Sequence, residues 1–122
     1  MSSLASRLSS PAPWREALDR DRAVLITHLV AFATGVSARE IAAVGRVSVP
    51  ASEARALAMY LAHTGLGWPL ARVGTAFGRD RTTVGHACQR IEARRDDPAF
   101  DASVAELEAC LGAAPAKPGL LR

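Results

Sequence analysis

Apolar side chains recur at three- and four-residue spacings along most of this chain and hardly ever alternate with polar ones, so the pattern predicts helices rather than strands. From Trp14 to about Thr34, the residues Leu18, Val24, Leu25, Leu29, Phe32 and Ala33 fall at helical spacings and are the expected core side of a first helix, closed by Gly35. Ser37 and Glu40 form a capping-box pair that opens a short helix to about Ala43. The stretch from Gly45 to Pro50 reads as a loop. Ser52 is the expected cap of the next helix, whose Ala56, Leu57, Met59, Tyr60 and Leu61 face inward before Gly65 and Gly67 end it. Pro69 suits the first turn of a short helix through Phe77, with Leu70, Val73 and Phe77 as its core side. Gly78 then turns the chain into a helix to about Asp96, and Asp97-Pro98 opens a last one carrying Phe100, Val104, Leu107 and Leu111. The expectation is an all-α, compact multi-helix domain over residues 13–111, between a Ser-rich tail (1–12) and a second tail (112–122), both expected to be flexible.

The helix after Gly78 has two unlike faces. With 100° per residue, Val84, Ala87, Cys88 and Ile91 gather on one side and Thr82, His86, Gln89 and Arg90 on the other. Its N-terminal end offers Arg79, Asp80, Arg81, Thr82 and Thr83, donors and an acceptor of the kind that meet base edges and phosphates. Two adjacent helices joined by a tight turn, the second polar on its outer face, predict a helix-turn-helix.

Charge sharpens this only in part. The excess is small, 15 Lys and Arg against 12 Asp and Glu, but residues 79 to 95 hold five arginines against Asp80 and Glu92. The next thirteen residues, 96 to 108, hold five acids and no base. Clustered arginine attracts phosphate through its charge and forked donors, and by charge alone reads equally as a solvated face. The acids Asp96, Asp97, Asp101, Glu106 and Glu108 read as a solvated face first and as a partner surface second. Cys88 and Cys110 have no CxxC neighbour and are expected to be small core residues. His28, inside an apolar helix, is expected at the interior or its boundary. His28, His63 and His86 lie on separate helices, and no nucleophile, base and orienting group can be assigned, so no catalytic residue, metal or cofactor is expected. No apolar run nears the ~18 to 20 residues of a membrane span, and the start lacks a signal-peptide core, so a cytoplasmic protein is expected.

The segments Ala54-Arg-Ala-Leu-Ala-Met-Tyr-Leu61 and Val73-Gly-Thr-Ala-Phe-Gly-Arg-Asp-Arg-Thr-Thr-Val-Gly-His-Ala-Cys-Gln-Arg-Ile-Glu92 closely resemble the C-terminal DNA-binding domain (domain IV) of the bacterial replication initiator DnaA. The resemblance covers roughly residues 21 to 111, and its Gly-Arg-Asp-x-Thr-Thr-Val-x-His-Ala core is highly specific. It implies a DnaA domain IV-like, Trp-repressor-like helix-turn-helix fold that reads a short duplex box through the major groove, with a preceding loop in the minor groove. Arg79, Asp80, Thr82 and Thr83 match the family's signature, His86 a backbone-contacting histidine, and Arg55 a phosphate-holding position. His63 and Pro69 stand where the family also approaches the backbone, with other residue types.

Departures from the family carry as much as the matches. Arg81 replaces the family's histidine, and arginine favours guanine O6 and N7, so a different recognition site is expected. The family's glycine pair before the arginine is here the single Gly78. In the loop 45–50 the family is rich in arginine, and this chain offers Arg46 alone, which predicts weaker, less salt-dependent binding. Dimerisation, a second copy on adjacent boxes or a DNA-bound partner would restore affinity. No Gly-x-x-x-x-Gly-Lys-Ser/Thr phosphate loop is present. The implied partner is double-stranded DNA, and the first role is a transcription regulator, for instance an activator of a phage-like gene cluster, working with RNA polymerase or a co-regulator. The second is a replication regulator on initiator-type boxes. The third is a protein-interaction module that has lost DNA binding, against which the retention of Asp80, Thr82 and Thr83 speaks.

Overall fold

The computed structural model describes residues 13–112, which form six helices: α1 (Pro13–Thr34), α2 (Ala38–Ala42), α3 (Val49–Gly65), α4 (Leu70–Phe77), α5 (Arg81–Arg94) and α6 (Pro98–Gly112). The all-α expectation holds over them. The expected tails lie outside the described residues, apart from Gly112, which ends α6.

Helix α3 is the axis of the fold. Ala51, Ala54 and every residue from Ala56 to Ala62 are buried, and α3 packs against each of the other five helices. Its many alanines present little side chain, which lets several helices approach at once while Leu57, Met59, Tyr60 and Leu61 fill the space between them. Ile26 and Val30 of α1, Ile41, Val73, Val84, Ile91 and Val104 close the same core. Helix α3 begins earlier than the sequence pattern predicts: Ser48, not Ser52, is the cap, accepting from the Ala51 amide at 3.2 Å. Pro50 therefore sits in the first turn, where its missing N–H costs no helical hydrogen bond, and does not close a loop. Ser37 caps α2 through the Glu40 amide as expected, at 3.1 Å. Pro69 is the cap residue of α4, one place outside the helix.

Helix α1 contradicts the expected core face. Its buried residues are Ala23, Ile26, Thr27 and Val30, while Leu18, Val24, Leu25 and Phe32 are exposed. Both sides of α1 carry apolar residues, and it is the smaller set that packs against the other helices. The Thr27 hydroxyl is satisfied within the helix by the Ala23 carbonyl at 2.8 Å. His28 is exposed, not interior, as is Cys110, while Cys88 is buried. Among the described residues no helix is long and apolar enough to cross a membrane.

Candidate nucleic-acid interface

The turn between α4 and α5 is built around two glycines. Gly78 takes φ +68°, the left-handed conformation that closes α4, and the Arg79 amide donates to the Gly74 carbonyl at 2.9 Å. A Cβ at Gly74 would stand 2.5 Å from the Arg79 carbonyl oxygen, so the turn closes only over a residue with no side chain. Asp80 then caps α5. Its carboxylate accepts from the Thr83 amide at 2.8 Å and the Thr83 hydroxyl at 3.2 Å. These bonds, the backbone one foremost, hold the Asp80 carboxyl below the usual carboxylate range.

Along α5 the two faces separate as the spacing predicts. Val84, Ala87, Cys88 and Ile91 are buried, and Arg81, Thr82, Thr83, His86, Gln89 and Arg90 are exposed. The polar residues are not equivalent, however. Thr83 and Asp80 satisfy one another, which leaves Arg81 and Thr82 as the side chains of the first turn that form no hydrogen bond or ion pair with any described residue.

The arginine run also divides. Arg90 and Arg94 both pair with Glu53 on α3, at 3.5 and 3.0 Å, and Arg94 lies 3.9 Å from the centroid of the Phe100 ring. Arg95 donates to Tyr60 at 3.0 Å, to Asp101, and to Glu108 at 3.1 Å, while the Tyr60 hydroxyl donates to Glu92. Burial, followed by the Glu92 hydrogen bond, raises the Tyr60 pKa, and the Tyr60 and Asp101 hydrogen bonds raise that of Arg95. Asp101 and Glu108, two of the five acids whose spacing reads as a solvated or partner face, are thus clasps for α6.

Arg55 and Arg79 converge on the end of α2. Arg55 donates to the carbonyls of Ile41 (2.8 Å) and Ala43 (2.6 Å), and Arg79 donates to the same Ala43 carbonyl at 3.0 Å and to Phe77 and Gly78. Desolvation first, and the charge of Arg79 second, lowers the Arg55 pKa. Each guanidinium carries five donors and keeps some free, so both can serve the fold and still meet a phosphate. Their shared carbonyl lies three residues before the exposed Arg46, and Arg79 leads directly into the first turn of α5. A cleft of about 190 Å³ between α1, α2 and α4 is lined by both arginines and by Arg20. Arg20 lies 35 residues from Arg55 and carries no motif that would have marked it.

His63 helps to build the turn before α4. Its Nδ1 donates to the Trp68 carbonyl at 2.7 Å, so the ring ties the end of α3 to the turn before α4. Pro69 is exposed beside that turn.

Comparison with known proteins gives one family. Residues 24–91 match the family described as the bacterial DnaA protein helix-turn-helix. A crystal structure of a DNA replication initiation factor shares the fold with a TM-score of 0.69 at 32% sequence identity, a match that covers 80% of this chain and 30% of that one. The chain therefore spans less than a third of the length of that solved protein. No curated protein matches it. The family match takes in α4, the turn at Gly78 and most of α5, more than half of the chain, and the chain belongs to the bacterial DnaA helix-turn-helix family, a family of DNA-binding modules.

Proposed function

We propose that this protein is a sequence-specific reader of double-stranded DNA that regulates transcription from the nucleoid, and that the first turn of α5 enters the major groove. Arg81 is the residue assigned to base recognition, bidentate on guanine O6 and N7, with Thr82 beside it and His86, Gln89 and Arg90 along the exposed face. Arg55 and Arg79 hold a backbone phosphate, and Arg46 reaches the adjacent groove from its loop. Asp80 and Thr83 act first on the helix itself, fixing where the first turn begins. His63 and Pro69 contribute by shaping the turn before α4.

The observation that carries this reading is the isolation of Arg81. The other four arginines between 79 and 95 are engaged by carbonyls or carboxylates of the fold, whereas Arg81, exposed at the end of the helix that the family uses to meet DNA, has no such partner among the described residues. A guanidinium with no partner among the described residues, on a first turn capped by Asp80, suits base reading, whereas a protein-docking surface would draw on the whole run. Arginine in place of the family's histidine favours a target distinct from initiator boxes and hence a regulator over a competitor at the origin. A DNA-bound RNA polymerase or co-regulator supplies the additional contacts that a module with few free cations lacks.

The test combines selection of preferred duplexes from a random pool with genome-wide mapping of the bound protein. A defined guanine-containing motif, found again under promoter peaks, is the expected result. Peaks confined to the replication origin would replace the regulator with the competitor, and absence of any selected motif would sink sequence-specific reading.

A further inference from the structure

Five of the seven large hydrophobic residues that stand exposed among the described residues lie on α1: Trp14, Leu18, Val24, Leu25 and Phe32. Around the helix, Ala23, Ile26, Thr27 and Val30 point into the core, and Trp14, Leu18, Asp21, Leu25, His28 and Phe32 lie on the side directly opposite. Their spacing alternates four and three residues, which is the seam of a helix packed along another helix. Phe32 is 91% exposed, Leu25 68% and Trp14 63%, so the seam has no partner within the described fold.

Size and charge together indicate what covers it. The two aromatic and two aliphatic side chains of the seam, at these exposures, leave on the order of 500 Å² of apolar surface, and two such faces together reach about 1,000 Å², where specific interfaces begin. All six charged residues of α1, from Arg15 to Arg22, precede Ala23, and from there to Thr34 only His28 can ionise. A parallel pair would set Asp21 against Asp21 inside the seam. An antiparallel pair centred on Ala23 sets Trp14 against Phe32 of the second copy, Leu18 against His28 and Asp21 against Leu25, and lays the arginine stems of one charged half along the uncharged half of the other. It also opposes the helix dipoles.

We propose that α1 pairs antiparallel with α1 of a second copy of this chain, so that the protein is a two-fold dimer through its outermost helix. The interface is independent of DNA reading, since no residue of the first turn of α5 takes part.

Mass in solution, measured for the full chain by sedimentation or light scattering over rising concentration, tests the pairing. The wild-type chain is expected at twice the mass of one chain. The double variant Leu25→Asp/Phe32→Asp changes only exposed positions, keeps its helical circular dichroism, and is expected at the mass of one. A wild-type chain that stays monomeric at every concentration, or a double variant that stays dimeric, overturns the proposal. Direction is tested in a Cys110→Ser background by mixing Trp14→Cys protein with Phe32→Cys protein under oxidation: a mixed disulfide is expected, and Trp14→Cys protein that links mainly to itself overturns the antiparallel arrangement.

Discussion

The two ends of α5 use the same residue types for opposite purposes. At the N-terminal end Arg81 and Thr82 have no described partner, and the polar groups that are bonded, Asp80 and Thr83, are bonded to each other. At the C-terminal end Arg90, Arg94 and Arg95 are drawn across to Glu53, Asp101 and Glu108, and fasten α5 to α3 and α6. What separates them is the neighbourhood. The end of α5 runs beside α3 and the start of α6, where acids are within reach, and the beginning projects past the turn at Gly78. A charge run that counts as one cluster along the chain is therefore a free end and a clamped end in space.

Both ends hang on one apolar face, and the largest effect should come from breaking it. Val84 is fully buried, so Val84→Asp places an unpaired carboxylate in the core at a cost of about 4 kcal/mol or more. The expected result is loss of the cooperative thermal transition, and a variant that melts near the wild-type temperature would mean that α5 is seated the wrong way round.

Next in size is the clamped end. Arg95→Ala leaves Tyr60, Asp101 and Glu108 without their shared donor, with only 18% of the Arg95 side chain exposed, and should cost about 2 kcal/mol of stability. Denaturant unfolding measures that loss. The preferred DNA motif should be unchanged, and a shifted motif would show that the clamped end reads bases as well.

The free end should answer in reverse. Arg81→Ala is expected to leave unfolding unaltered and to lose about 1 to 3 kcal/mol of discrimination at one base pair, measured by competition between duplexes that differ there. Equal loss on every duplex would place Arg81 on phosphate and dissolve the proposed division between base reading and anchoring.

How much of this was legible along the chain differs between helices for a physical reason. Helix α5 is apolar on one side only, so helical spacing separates Val84, Ala87, Cys88 and Ile91 from Thr82, His86 and Gln89 without further information. Helix α1 is apolar on two sides, and spacing cannot tell which one packs. The larger residues Leu25 and Phe32 give the stronger apolar signal along the chain, while Ala23, Ile26 and Val30 are the ones buried. Pro50 reads as a breaker because the same residue ends a helix or begins one, and only the Ser48 cap decides. The engaged arginines were hidden for another reason. Arg94 and Glu53 are 41 residues apart, and Arg79 reaches a carbonyl 36 residues back, so neither partnership leaves any local trace. The family signature located the interface, and only the three-dimensional pairing distinguishes Arg81 from its neighbours.

That distinction leads to the smallest effect on stability and the sharpest comparison of the two ends. Glu53 is the single acid that holds both Arg90 and Arg94, in pairs about half exposed and worth no more than about 1 kcal/mol. Glu53→Gln should scarcely move the unfolding midpoint, yet it releases two guanidinium groups on the same helix that carries Arg81. If the pairing is what holds Arg90 back from closer contact and Arg94 off DNA, the variant should bind all duplexes more tightly and its dependence on salt should steepen by about 0.9 for each arginine that now meets a phosphate. An unchanged salt slope would mean that geometry and not charge pairing withholds these arginines. In that case the free first turn owes its role to where α5 projects, and Arg81 would read bases even with every other arginine of the run released.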